Sequence, residues 1–135
     1  ILVDEYKKIV ENIYYTTDDG SYGVKGFVTT VLSDLLSTKH SYDHSIVIGP
    51  LIMMKNTVEL LQQYNLFPDV SLNPIMIDGT GMCGNCRVSI NDKTYFACID
   101  GPDFPSKGVN FDELLSRQNY YKKEEHECNL KLVNK

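Results

Sequence analysis

Residues 45–54 read SIVIGPLIMM, and this stretch decides the fold class. Its first half is a continuous apolar run with β-branched side chains, which is typical of a short strand buried on both faces of a sheet. Gly49 and Pro50 follow at once, and proline is favoured in the first turn of a helix because the N–H it lacks would have no partner there. Apolar side chains then recur at helical spacing, at Leu51, Met54, Val58 and Leu61. A strand that leads directly into a helix predicts an α/β fold.

The segments on either side continue the alternation of strand and helix. Apolar spacing predicts a helix in the first ten residues and another over residues 26–36. Residues 12–17 (NIYYTT) are rich in strand-forming side chains, and residues 70–77 (VSLNPIMI) predict a further strand that Pro74 interrupts or ends. Strands that alternate with helices predict a parallel sheet flanked by helices.

The last third of the sequence has a different pattern. The stretch CRVSINDKTYFACI alternates like a hairpin around Asn91 and Asp92. Residues 100–108 (DGPDFPSKG) predict a turn-rich linker with two prolines. Residues 110–127 predict one helix with Asn110 as its N-cap, because acidic residues come early in this segment and lysines come late.

Composition excludes several classes of protein. A chain of 135 residues is long enough for one domain with a core. A net charge of −5 argues against nucleic acid as a partner, because a phosphate-binding face needs a basic excess. No apolar stretch is long enough to span a bilayer and no signal peptide is visible, so we expect a cytoplasmic protein. The chain also starts without methionine, and we expect it to be a piece of a longer polypeptide.

A thiol-rich loop carries the chemistry. In IDGTGMCGNCRV, residues 77–88, Cys83 and Cys86 form a C-x2-C pair, and Cys98 follows after eleven residues. Plant-type iron–sulfur proteins use C-x4-C-x2-C and a remote fourth cysteine. Asp78 stands where the first of those cysteines would be. The sequence therefore offers four anionic ligands for a metal or a cluster.

Three other kinds of site compete with an iron–sulfur cluster as the interpretation of this loop. Its glycines, at 79, 81 and 84, also satisfy the dinucleotide pattern G-x-G-x-x-G, but a pyrophosphate loop leads into a helix and this one leads into a predicted hairpin. A thioredoxin-like dithiol belongs at a helix start and would leave Cys98 and Asp78 without a role. Zinc held by three thiolates and one harder ligand fits the spacing and stays open. For a cluster, glycines would let the backbone N–H groups turn toward the sulfurs.

Four stretches together resemble one family: TTDDGSYGVKGFVTTVL, IGPLIMMK, IDGTGMCGNCRV and FACIDGPDFPSKGVNFDELLSRQ. The family is the alpha (small) subunit of NADH-dependent ferredoxin:NADP+ oxidoreductase, also called sulfide dehydrogenase. Its relatives include the dihydroorotate dehydrogenase electron-transfer subunit and hydrogenase gamma subunits. The resemblance covers nearly the whole chain. It implies a [2Fe–2S] cluster held by Asp78, Cys83, Cys86 and Cys98.

The resemblance also implies a domain order. Members of the family resemble ferredoxin reductases, with an FAD-binding barrel, a nucleotide-binding α/β domain and a cluster segment. This sequence lacks the barrel and the first strand of the nucleotide domain with its glycine-rich turn. We therefore expect a C-terminal fragment with a partial NAD(P)-binding domain over 1–74, a [2Fe–2S] segment over 75–104, and a linker and C-terminal helix over 105–135. The fragment alone is expected to be inactive.

The resemblance implies a nucleotide site formed by two stretches, residues 18–23 and Gly49–Pro50. The loop after the third strand would meet the adenosine end, and the Gly-Pro after the fourth would lie near the nicotinamide. Two acidic side chains suit a ribose diol and repel a 2′-phosphate, which favours NAD(H) over NADP(H). A solvated turn without a ligand role is the alternative. The implied binding residues are Asp18, Asp19, Gly20, Ser21, Tyr22, Gly49 and Pro50.

The sequence thus predicts an electron-transfer module of a flavin and iron–sulfur oxidoreductase. Electrons from NAD(P)H would reach the [2Fe–2S] cluster through FAD on the missing domain, and a larger subunit with further iron–sulfur or flavin centres would be the partner. The alternative is a zinc-stabilised interaction domain without redox activity. Cys128 is expected to be a free thiol in a solvated tail.

Overall fold

The computed structural model describes residues 2–38, 42–120 and 122–133, with the side chains of 130–133 excepted. The chain divides into two compact units, residues 1–43 and residues 44–135. Each unit has its own strands and helices, and each is described by itself below.

The first unit contains α1 Val3–Tyr6, β1 Thr16–Thr17, β2 Val24–Lys25 and α2 Val28–Ser37. Strands β1 and β2 pair in parallel. The predicted helix in the first ten residues is wrong beyond its first turn, and the predicted strand over 12–17 shrinks to two residues. The apolar side chains of the predicted helical stripe are exposed. Helix α1 is short because an isolated helix without a buried apolar face is only marginally stable.

The second unit holds the larger sheet. Its elements are β3 Ile46–Ile48, α3 Leu51–Gln63, β4 Asp69–Ser71, β5 Arg87–Ile90, β6 Lys93–Phe96, α4 Ala97–Asp100, β7 Asp103–Pro105, α5 Phe111–Gln118 and α6 Lys122–Val133. Strands β3, β4 and β7 form one sheet in that order, and β5 and β6 form a separate hairpin. Strand β4 runs parallel to β3 and antiparallel to β7.

The strand predicted at residues 45–49 is present as β3. The prediction that both of its faces are buried is wrong. Val47 is buried, whereas Ile46 and Ile48 are 63% and 67% exposed. Successive side chains of a strand point to opposite faces, and only the face of Val47 is covered within this unit. Helix α3 begins at Leu51 with Pro50 as its N-cap, one position before the predicted first turn. Its predicted apolar stripe is buried as expected, at Leu51, Met54, Val58 and Leu61.

The predicted linker over 100–108 contains a strand that the sequence did not reveal. Residues 103–105 pair with β4 as β7, with Phe104 opposite Val70. Phe104 is buried, and its ring centroid lies 5.9 Å from that of Tyr95. Pro105 is tolerated because β7 lies at the edge of the sheet formed by the described residues. The sheet is therefore mixed, with a parallel pair and one antiparallel edge.

The helix predicted over 110–127 is two helices. Asn110 caps α5 as predicted, because its side-chain oxygen accepts the N–H of Glu113 at 3.0 Å. Helix α5 ends at Gln118, where the N–H of Asn119 bonds back only three residues, to Ser116, at 3.3 Å. Residue 121, which falls within the predicted helix, lies outside the described residues.

Helix α6 is the last element and is polar along most of its length. Cys128 is exposed on it and forms no disulfide with another described cysteine. Within the described parts of the chain, no helix combines the length and the apolar content that a bilayer-spanning segment requires.

Candidate metal centre

The β5–β6 hairpin brings Cys86 and Cys98 together. Arg87 pairs with Phe96 at the open end of the hairpin, so Cys86 lies opposite Ala97, whose N–H donates to the Cys86 carbonyl at 3.1 Å. Cys98 follows in α4. A hydrogen bond with the Cys86 thiol, and after it burial, raises the pKa of Cys98 above its ordinary value. The eleven residues between the two cysteines are therefore the hairpin that joins them.

The hairpin predicted around Asn91 and Asp92 is confirmed. Asn91 and Asp92 both have positive φ, 48° and 62°. Two such residues in a two-residue loop form a type I′ turn, whose twist matches that of the paired strands. The C-x2-C pair thus leads into strand β5 and not into a helix. The dinucleotide and thioredoxin-like interpretations both required a helix at this position, so the structure does not support them.

The loop before the hairpin brings Asp78 to Cys83. One carboxylate oxygen of Asp78 accepts the N–H of Thr80 at 3.0 Å, and the other accepts the N–H of Cys83 at 3.0 Å. The Thr80 N–H, and to a lesser degree hydrogen bonds from Cys83, hold the pKa of Asp78 below its ordinary value. Asp78 is therefore an anion at neutral pH, fixed next to the first thiol of the C-x2-C pair.

Gly81 has a backbone conformation that favours glycine, with φ of 79°. A hydrogen bond from its backbone partly offsets the rise in the pKa of Cys98. A Cβ at this position would lie 2.6 Å from Cδ1 of Ile99. A larger residue would therefore adopt a strained backbone conformation and displace the end of the Ile99 side chain. Gly79 and Gly84 share the positive φ.

The four predicted ligands form two pairs. Cys86 is buried and Cys98 is half-buried in one pair, whereas Asp78 and Cys83 are both exposed in the other. Across residues 2–38, 42–120 and 122–133, no three His, Cys, Asp or Glu side chains form a group arranged around a single metal ion. The structure thus brings the predicted residues to one loop and hairpin as two neighbouring pairs.

Two further residues support the loop and were missed in the sequence. The Asn85 side chain donates to the carbonyl of Ile75 at 2.8 Å, and a guanidinium N–H of Arg117 donates to the carbonyl of Asn85 at 2.8 Å. Arg117 also lines a cavity of about 350 Å³ together with Cys83 and Arg87. The available signals were a polar residue between two cysteines and a basic residue in the middle of a predicted helix. Neither signal indicates a partner by itself.

The predicted adenosine-end loop is held by its own hydrogen bonds. Asp19 accepts the N–H of Ser21 at 2.9 Å, and this bond lowers the pKa of Asp19. The hydroxyl of Thr17 donates to the carbonyl of Tyr22 at 2.9 Å and accepts the N–H of Tyr22 at 3.2 Å. The Asp18 side chain is exposed and bonds to none of the described residues. Asp19 therefore shapes the turn, and Asp18 faces solvent.

The predicted nicotinamide-end residues lie in the second unit. Gly49 follows β3, and Pro50 precedes α3. Gly49 has φ of 153°, a conformation that favours glycine, and a Cβ there would also displace the end of the Met53 side chain. Gly20, Ser21 and the rest of the adenosine-end loop belong to the first unit, so the structure describes the two halves of the predicted nucleotide site separately.

Comparison with known proteins supports the resemblance. Residues 73–110 match the family described as the iron–sulfur cluster binding domain of dihydroorotate dehydrogenase B. This segment contains Asp78, Cys83, Cys86 and Cys98.

Three relatives match almost the whole chain. It is 47% identical over 133 residues to a protein of Clostridium beijerinckii named for the adh 3′ region, covering 98% of this chain and 45% of that protein. It is 46% identical over 125 residues to the dihydroorotate dehydrogenase B (NAD(+)) electron transfer subunit homolog of Thermotoga maritima, covering 93% and 44%. A structure reported for NADH-dependent reduced ferredoxin–NADP oxidoreductase, in work on flavin-based electron bifurcation, superimposes with a TM-score of 0.79 at 41% identity, covering 98% and 48%.

The chain spans about half the length of the relatives it matches. Its α/β architecture is that of the matched region of the ferredoxin–NADP oxidoreductase structure, as the fold prediction expected. By sequence and by fold, the chain is a relative of the dihydroorotate dehydrogenase B electron-transfer subunits and of NADH-dependent reduced ferredoxin–NADP oxidoreductase.

Proposed function

We propose that this chain is the electron-transfer module of a flavin and iron–sulfur oxidoreductase. It would pass electrons between NAD(P)H and a partner subunit through a [2Fe–2S] cluster, with FAD bound outside these 135 residues. The cluster ligands would be Asp78, Cys83, Cys86 and Cys98. The observation that carries the proposal is the approach of these residues as two neighbouring pairs within a segment that matches an iron–sulfur domain.

The arrangement in pairs favours a binuclear cluster over a single zinc ion. Each iron of a [2Fe–2S] cluster takes two protein ligands in addition to the bridging sulfides. The loop holds Asp78 next to Cys83, and the hairpin holds Cys86 next to Cys98. One zinc ion would need all its ligands around a single point, at about 2.0–2.3 Å. No such group exists among the residues the structure describes.

The protein's contribution is to bind and tune the cluster. When bound, a [2Fe–2S] cluster accepts and releases electrons one at a time, which converts a flavin's electron pair into single steps. Asp78 would supply an oxygen ligand in place of a fourth thiolate. A hydrogen bond from the Gly81 backbone lowers the pKa of Cys98 against the other contributions, and hydrogen bonds to ligand sulfurs shift the reduction potential of a cluster.

Exposed apolar side chains around the loop support a protein partner. Met82 is 89% exposed, Ile77 68% and Ile99 58%. Exposed apolar groups that cluster on one surface are typical of an interaction site. The partner that fits is a larger subunit carrying the next iron–sulfur or flavin centre, because electron transfer requires its donor and acceptor to lie close together.

The remaining assignments are part of the same proposal. NAD(H) would be preferred over NADP(H), with Asp18 toward the ribose and the loop through Tyr22 and Gly49–Pro50 lining the nucleotide. The parts 1–74, 75–104 and 105–135 would be the partial nucleotide domain, the cluster segment and the C-terminal helical region. Strand β7 spans the proposed boundary between residues 104 and 105, and it pairs with β4 in the first of the three parts. The location would be cytoplasmic, where thiols stay reduced.

The direct test is the metal content of protein prepared without oxygen. We expect iron and inorganic sulfide in equal amounts, a brown colour and a paramagnetic signal in the reduced state. Cys83→Ala and Cys86→Ala should abolish the cluster. Cys128→Ala is the matched control, since Cys128 lies exposed on α6, and it should keep the cluster. Stoichiometric zinc without sulfide would overturn the proposal in favour of a zinc-stabilised interaction domain.

A further inference from the structure

We infer that Arg117 is a positioning residue for the cluster: it fixes the backbone between Cys83 and Cys86 from helix α5 and adds a positive charge beside it. The inference rests on the proposed function, because it concerns the same loop. It adds a residue from a different element, which no ligand pattern in the sequence contains.

The first step is the hydrogen bond to the loop. A guanidinium N–H of Arg117 donates to the carbonyl of Asn85 at 2.8 Å, and this bond is partly buried. Asn85 is one of the two residues that separate Cys83 from Cys86. Its side chain in turn donates to the carbonyl of Ile75 at 2.8 Å. Arg117 and Asn85 thereby connect the end of the loop to its beginning, across the turn that presents Asp78.

The second step is that α5 is itself well fixed. Leu114 is 2% exposed, so the middle of the helix is packed in the core. Asn110 caps the helix and also donates its own N–H to the carbonyl of Ser89 in β5 at 2.9 Å. At the other end, Gln118 donates to the carbonyl of Asn73 at 3.2 Å. The last turn of α5 is thus a rigid support, from which Arg117 can hold the loop.

The third step is charge. Arg117 and Arg87 line the same cavity as Cys83. Bound thiolates and Asp78 are all anionic, and reduction adds a further negative charge to a cluster. A nearby cation stabilises the reduced state more than the oxidised state and so raises the reduction potential. Arg87 shares this position, but its guanidinium forms no hydrogen bond or ion pair with any described residue.

The difference between the two arginines supplies the experiment. Arg117→Gln removes a charge and the bond to Asn85, whereas Arg87→Gln removes only a charge. Amide hydrogen exchange of residues 79–86 is measured in the cluster-free protein, and the rate of cluster loss to an iron chelator is measured in the loaded protein. We expect Arg117→Gln to speed both, with cluster loss roughly 10-fold faster. Arg87→Gln should leave both unchanged, and both variants should lower the reduction potential.

A third variant, Arg117→Lys, keeps the charge without the planar fork that reaches Asn85. The lysine variant should retain most of the reduction potential, but its amide exchange and its cluster loss should be as fast as in Arg117→Gln. It also replaces the glutamine variant in the experiment if that variant does not fold. Equal exchange and equal cluster loss in Arg117→Gln and Arg87→Gln would overturn the inference. A wild-type protein without iron and sulfide would overturn the proposed function instead, and the exchange measurement would still decide whether Arg117 holds the loop.

Discussion

The side-chain carboxylate of Asp78 accepts a hydrogen bond from the backbone N–H of Cys83 at 3.0 Å. The other oxygen of the same carboxylate accepts the Thr80 N–H. A carboxylate has about four acceptor positions, so these two bonds leave room for a metal. Asp78 can therefore shape the loop, bind the cluster or do both, and these roles make different predictions.

Asp78→Asn and Asp78→Cys together test the two roles. The asparagine amide keeps one of the two oxygens that accept N–H groups, but it is not an anionic ligand. We expect this variant to lose the cluster or to change its visible spectrum and reduction potential. Asp78→Cys should keep a cluster, with an altered spectrum and potential, because a thiolate replaces the oxygen ligand. If Asp78→Asn and Asp78→Ala both left the spectrum and potential unchanged, Asp78 would only shape the loop.

Patterns that are local in the sequence were predictable. The hairpin around Asn91 and Asp92 follows from two turn residues between alternating strands, and its register explains why Cys98 meets Cys86. The α3 stripe follows from helical spacing, and the cap at Asn110 follows from the preference of asparagine for that position. In each case the information lies within one element or one turn.

Features that depend on distant partners were not predictable. Strand β7 is three residues long with a proline, and only its pairing with β4, far back in the chain, makes it a strand. The exposed faces of Ile46 and Ile48 depend on what packs against β3, which an apolar run does not specify. Arg117 reaches Asn85 only because the fold places α5 beside the loop. The sequence contains these residues, but their roles are set by tertiary contacts.

Met54 should be among the most sensitive core positions. It is fully buried on α3, whereas Ile52, on the same helix, is 53% exposed. Met54→Ala should lower the free energy of unfolding by about 2–5 kcal/mol, because it removes buried methylene groups and leaves a cavity. Ile52→Ala is the matched control and should cost less than about 1 kcal/mol, since surface substitutions are usually small. Denaturant unfolding followed by circular dichroism measures both, and equal losses would contradict the assigned packing.

The cap of α5 should contribute a measurable part of the stability. Asn110→Ala removes the acceptor for the Glu113 N–H and should cost about 1 kcal/mol of unfolding free energy. Asn110→Ser and Asn110→Asp restore an acceptor and should recover most of this loss. Because α5 also carries Arg117, the alanine variant should additionally speed amide exchange in residues 79–86. An alanine variant as stable as Asn110→Ser would show that the cap contributes nothing.

Asp18 is the better candidate for recognition of the ribose, because its carboxylate is exposed while that of Asp19 is bonded to the Ser21 N–H. Asp18→Asn should weaken NADH binding roughly 10-fold, since a hydrogen bond to a charged group is lost. NADPH binding should stay the same or tighten, because the repulsion of the 2′-phosphate is removed. Asp19→Asn keeps an oxygen for the Ser21 N–H and should change the NADH affinity less. Titration of the purified protein with both nucleotides measures these affinities, and an equal change for NADH and NADPH in Asp18→Asn would exclude Asp18 from the choice between them.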